Sequence, residues 1–143
     1  KQINEATPLV DEALRGEAGP FTIEAAISAV HCRATRAADT DWRQIVRLYD
    51  LLQQLMPSPV VSLNRAVAVA MADGPDAGLR ILDPLERSGQ LTDYHLFHAA
   101  RADLLRRQGS RTESARSYKR ALELATNDSE RRFLEKRLKE VSS

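Results

Sequence analysis

His95 and His98 stand three residues apart, a spacing that places two imidazoles on one face of a helix, as metal ligands sometimes are. A third ligand would have to come from Asp93, next to His95 but for one residue, or from His31 or Cys32 brought close by folding. Packing and surface polar roles are commoner for helical histidines, so neither a metal nor another cofactor is expected. Cys32 is the single cysteine and lies in an alanine-rich helical pattern, which reads as a buried structural thiol. It can form no internal disulfide, and a cytoplasmic setting fits. Nucleophilic catalysis needs a serine or cysteine activated by a base, and no local signature supplies one. Gly74 and Gly78 are isolated turn and packing glycines rather than a phosphate-cradling loop, and Asp11 with Glu12 reads as helix surface. The chain is not expected to be an enzyme.

More informative are polar residues set in strongly apolar or alanine-rich stretches: Asn64, Arg65, Arg101 and Asp103. If buried, each must be bonded, because an unsatisfied buried polar group costs about 1–3 kcal/mol. Two readings follow. One is an internal network that locks one helical hairpin to the next. The other is an Arg/Asn-lined groove that holds a peptide backbone or an acidic tail, with Asn64, Arg65, His98, Arg101, Asp103 and Arg106 as its binding residues. Trp42, at the start of its helix, reads as core.

These residues must be positioned by helices. Alanine and leucine dominate the apolar set, aromatics are only 5%, and most glycines and prolines fall between helical stretches. The apolar spacing predicts eight helices: residues 4–15, 21–38, 41–56, 59–72, 75–87, 94–108, 111–125 and 128–140. Pro8 sits either just after a Thr7 cap or at a kink in the first of them. Thr40 is the expected cap of the third, Ser58 with Pro59 opens the fourth, Gly109 closes the sixth, and Ser110 caps the seventh. Pro84 should kink or shorten the fifth. The fourth is apolar nearly all round and should be covered on several sides. Short turns between such helices indicate antiparallel hairpins stacked in order, and the chain reads as one all-α domain over residues 1–143. Residues 128–141, basic around a narrow seam of Phe133, Leu134, Leu138 and Val141, suit a terminal cap.

Composition narrows the partners. The net charge of +1 predicts no general affinity for nucleic acid, although residues 101–143 carry +5 and residues 1–100 carry −4. A solvated helix face accounts for that asymmetry, and a polyanion-facing patch is the competing reading. No apolar run approaches the roughly 18 residues that span a membrane, so a soluble protein is expected. Lys1-Gln2-Ile3-Asn4 is neither a signal peptide nor an initiator methionine, and the chain reads as a piece of a longer one.

The stretch Ala102, Leu105, Gly109, Ser114, Tyr118, Ala121, Leu122, Leu124 resembles a tetratricopeptide repeat, a family of helix-turn-helix units of about 34 residues. Tyr49 and Tyr118 lie 69 residues apart, close to two repeat lengths. No unit has the usual first-helix tryptophan or Leu-Gly pair, so the repeats are degenerate. The resemblance implies a right-handed superhelical stack with a groove lined by Asn64, Ala68 and Met71 and by Ala99, Asp103, Arg106 and Arg107. A wider resemblance runs from about Leu9 to Phe133. It rests on Gly19-Pro20-Phe21 with Glu24-Ala25-Ala26-Ile27, Thr40-Asp41-Trp42 with Leu48-Tyr49-Asp50, and Pro57-Ser58-Pro59-Val60-Val61 with Leu63-Asn64-Arg65-Ala66-Val67-Ala68. Tyr94-His95-Leu96 with His98-Ala99-Ala100-Arg101-Ala102-Asp103-Leu104-Leu105 completes it. These segments resemble the C-terminal extension of a group of bacterial extracytoplasmic-function sigma factors, which carry a tetratricopeptide-like domain after two promoter-reading domains. Nothing here resembles those promoter-reading domains. The resemblance implies a regulatory, protein-binding role in transcription initiation, with the parent's other domains, RNA polymerase or a separate regulator as partner. A nucleic-acid-contacting accessory and a small-molecule-binding helical domain are the competing functions, and the oligomeric state stays open, a dimer included.

Overall fold

The computed structural model describes residues 6–15, 19–33 and 40–143, and every regular element among them is helical. The order is α1 (Ala6–Leu14), α2 (Pro20–Arg33), α3 (Trp42–Leu55), α4 (Pro59–Asp73), α5 (Pro75–Ser88), α6 (His95–Gln108), α7 (Arg111–Leu124) and α8 (Asp128–Ser142). The expected ends of the first two helices, residues 4–5 and 34–38, lie outside the described residues, as does most of the expected 16–20 turn.

Local chemistry explains the boundaries. Pro8 falls in the first turn of α1, where its missing N–H costs no intrahelical bond, so the helix neither begins at Pro8 nor breaks there. The cap of α3 is Asp41 rather than Thr40: its Oδ1 accepts the Gln44 N–H at 3.1 Å. A carboxylate at that end also meets the positive end of the helix dipole. Ser58 Oγ accepts the Val60 N–H at 3.2 Å and Pro59 takes the first position of α4, as expected. Pro84 does not shorten α5, which continues to Ser88 and closes on Gly89 in the left-handed region (φ 73°). The helix therefore ends one residue beyond the expected 75–87, at a glycine that the apolar spacing does not mark.

Gly109 (φ 97°) ends α6 as expected. Its N–H reaches Arg106 O at 3.1 Å and the Ser110 N–H reaches Leu105 O at 2.9 Å, so two terminal carbonyls are satisfied. Ser110 precedes α7 but its hydroxyl makes no cap; it donates to Gln108 Oε1 at 2.8 Å instead. Asn127 performs the capping role for α8, accepting the Glu130 N–H at 3.1 Å.

The chain divides into two compact units, residues 1–72 and 73–143, each with its own core. In the first, α1, α2 and α3 pack on one another around Val10, Ile23, Val30, Ile45 and Leu48, and α4 adds Val61 and Ala68. Trp42 packs half-buried against this core, with the His31 ring edge-on at 5.3 Å. Helix α4 is buried over most of its circumference, with Val61, Leu63, Ala66, Val69 and Ala70 covered, while Val60 and Asn64, one turn apart, are exposed. In the second unit α5 packs on α6, α6 on α7 and α7 on α8. Ala102, Tyr118, Ala121, Leu134 and Val141 form a core there, and Ser114 is fully buried beside it. Phe133 is not part of the α8 seam: it is 53% exposed, and the Arg137 guanidinium lies 5.3 Å from its ring centre.

Candidate functional site

Helix α6 carries most of the polar residues picked out from the sequence, and its winding sends them to different faces. Residues three apart share a face, so His98 and Arg101 lie together, whereas Asp103 and Arg106 sit well round the helix from them.

His95 and His98 do not act as a pair. His95 Nε2 lies 2.9 Å from Glu130 Oε2 on α8, an ion pair whenever the imidazole is protonated. His98 Nε2 lies 2.7 Å from the Thr92 carbonyl, which only accepts, so this nitrogen is the donor. Among the described residues no three His, Cys, Asp or Glu side chains converge as metal ligands would. The side chain of Cys32 lies outside the described residues.

Asp103 and Arg106 belong to a network along one face of α6. Arg106 Nη2 donates to Asp103 Oδ1 at 2.6 Å, Arg107 Nε approaches Asp103 Oδ2 at 3.0 Å, and Arg106 Nε donates to the Tyr118 hydroxyl on α7 at 3.4 Å. The Tyr118 hydroxyl and then Asp103 push the Arg106 guanidinium above its ordinary value.

On the other face Arg101 ties three helices together. Its Nε lies 2.8 Å from Glu86 Oε1 on α5, off the N–H axis and so a charge contact rather than an aligned hydrogen bond. Its Nη1 donates to Ser117 Oγ on α7 at 3.5 Å. His98 and Arg101 line a cavity of about 420 Å³ together with Glu86, Glu113, Arg116, Ser117 and Arg120. The α7 residues of this cavity are not among the six expected binding residues. The signal was present: Glu113, Arg116, Ser117 and Arg120 follow the three-and-four spacing of one helix face.

In the first unit Arg65 Nε donates to Asp50 Oδ1, and Gln53 Nε2 donates to Ser62 Oγ at 2.9 Å, so α4 is pinned to α3 by two polar contacts. Asn64 is exposed and borders a second depression, about 370 Å³, with Tyr49, Met56, Val60 and Glu24. Burial, and then the nearby Glu24 carboxylate, raise the Tyr49 phenol above its ordinary value. Ala68, expected in a groove, is 2% exposed and belongs to the core. Met71 and Ala99 are half-buried. The six expected binding residues therefore divide among three places: Asn64 and Arg65 in the first unit, and two faces of α6 in the second.

No protein-family model matches the chain, and no solved structure matches it. The chain is 42% identical over 142 residues to an uncharacterized protein of Rhizobium meliloti (strain 1021), an alignment covering 99% of this chain and 33% of that protein. The chain thus spans about a third of the length of the curated relative that it resembles.

Proposed function

We propose that this chain is a protein-binding regulatory module of a longer protein, and that the longer protein is a sigma factor of the extracytoplasmic-function type. The observation that carries the module reading is the alignment itself: nearly the whole chain has its counterpart in 33% of a longer relative. Two further features support it. The second unit is built of successively packed helices with a tetratricopeptide-like pattern of small residues buried between α6 and α7, Ala102, Ser114 and Ala121 among them. Its polar side chains are spent on networks between helices, which fix a surface rather than assemble a nucleophile and base. The sigma-factor assignment rests on the resemblance of the segments quoted above. A cytoplasmic location follows from it; no helix among the described residues is long and apolar enough to cross a membrane.

The partner in this reading is protein: the parent's promoter-reading domains, RNA polymerase or a separate regulator. Direct contact with nucleic acid is disfavoured by the bonding of the basic C-terminal helices. Arg137 holds a carboxylate, Arg131 holds the Leu122 carbonyl, and Arg111 holds the Glu140 carbonyl. Cations already bonded release fewer counterions from a phosphate backbone.

In-vitro transcription from a cognate promoter tests the proposal, comparing the full-length parent with a version lacking this segment. Loss of activity identifies a required positive element, and a gain identifies an inhibitor acting in cis. Unchanged activity sinks direct control of initiation.

A further inference from the structure

The cavity against α5, α6 and α7 is not the groove that the repeat pattern suggested, because it lies round α6 from Asp103 and Arg106. Three arginines face it, and their states differ. Arg101 is 17% exposed and already engaged with Glu86. Arg120 is bonded only to exposed carboxylates: Asp93, 87% exposed, at 3.1 Å and Glu123, 65% exposed, at 3.0 Å. Such pairs contribute little in water and exchange readily for another anion. Arg116, one turn before Arg120, makes no hydrogen bond or ion pair among the described residues.

We infer that this cavity accepts one carboxylate from a partner polypeptide, with Arg116 and Arg120 as its ligands and Arg101 fixed behind them. Two arginines four residues apart share a helix face, and a guanidinium pairs with a planar carboxylate through parallel N–H···O bonds. The depression is open to solvent and, at about 420 Å³, has room for an acidic side chain and its neighbour. Glu86 and Glu113 interrupt the positive lining, and no Phe, Tyr or Trp borders it. Those carboxylates leave the lining matched to a single anionic group rather than to the run of charges along a phosphate backbone, whose bases would also find no ring on which to stack. A peptide gains from the same arrangement, since Glu113 accepts an N–H or a basic side chain next to the bound acid. This inference rests on the protein-binding reading above and assigns it a site.

The test titrates the whole purified chain with a blocked Glu-Glu-Gly-Lys peptide, with its Gln-Gln-Gly-Lys counterpart and with a twelve-nucleotide single-stranded DNA, followed by NMR of the arginine Nε–H and backbone amide signals. The Glu peptide is expected to shift Arg116, Ser117 and Arg120, more weakly as salt is raised. The Gln peptide and the R116Q variant should each bind about tenfold less tightly, and exposed K136Q, carrying the same charge change, should bind as the parent chain does. Arg116 is exposed and unpartnered, so R116Q should keep its circular dichroism spectrum. Equal binding of both peptides, equal losses in R116Q and K136Q, or tighter DNA binding through the same arginines would overturn the inference. If the peptide fails while removal of the segment still alters transcription, the cavity assignment falls and the module reading stands. Peptide binding without a transcriptional effect leaves the cavity and removes direct control of initiation.

Discussion

Ser114 and Tyr49 show how much one side chain's surroundings decide. The Ser114 hydroxyl is fully buried and donates to the Ala102 carbonyl at 2.8 Å across the α6–α7 contact. Removing it in Ser114→Ala should cost no more than about 1 kcal/mol, since a helical carbonyl keeps its backbone donor. Ser114→Leu, which forces extra volume against Ala102 and Tyr118, should cost about 1–3 kcal/mol in urea unfolding. Equal losses in both would show that the hydroxyl, not its size, is what the site requires. Tyr49 makes a pH prediction. Its phenol is raised in the folded state by burial and by Glu24, so the folded chain holds that proton where the unfolded chain has released it. The stabilisation is complete below the ordinary tyrosine value near 10 and is lost as pH rises through the folded-state value. Denaturant midpoints of the parent chain should therefore fall more steeply between pH 9 and 11 than those of Tyr49→Phe; parallel slopes would refute the assignment. The small buried positions Ser114 and Ala121 and the aromatic Tyr118 were legible from the repeat pattern. The partners of Arg65 and Arg101 were not, because Asp50 and Glu86 lie 15 residues away in sequence and are reached only by folding.

At the level of elements, the turns were the most readable feature, since a left-handed backbone demands a particular residue. Gly109 sits at φ 97° with nothing within 4 Å of where a Cβ would stand, so Gly109→Ala bears only backbone strain. The expected loss is about 1–2 kcal/mol, with Gly109→Asn losing less because asparagine tolerates that conformation. Thermal unfolding of the two variants checks the order, and an alanine variant as stable as the asparagine one would contradict it. The caps were harder. Thr40 and Asp41 are both competent, as are Ser110 and Asn127 in their own turns, and only the chain's path into the helix selects which oxygen meets the free N–H groups. Pro84 does not end α5: one lost N–H bond weakens a helix locally, and the buried Leu79 and Leu82 anchor the turns before it.

For the molecule as a whole, the division at residues 72 and 73 gives two cores that can be perturbed separately. Leu48 in the first is 0% exposed and Leu134 in the second is 1% exposed. Leu48→Ala and Leu134→Ala should each cost about 2.7–5 kcal/mol, the range for a buried leucine whose cavity does not fully collapse. Hydrogen exchange should show the loss of protection concentrated in the unit that carries the substitution. Uniform loss over all of the helices would mean that the two units unfold as one.

The all-helical class, the approximate helix bounds among the described residues, the Gly109 turn and the interhelical small residues follow from sequence alone, because each depends on residues within a turn or two of one another. Periodicity marks the buried face of a helix, and a glycine or proline marks where it must stop. The cavity, the division of α6 into two polar faces and the grouping of arginines with carboxylates belong to the tertiary structure. Sequence can show that a polar residue lies in an apolar stretch and must find a partner; which neighbouring helix supplies that partner depends on how the helices pack.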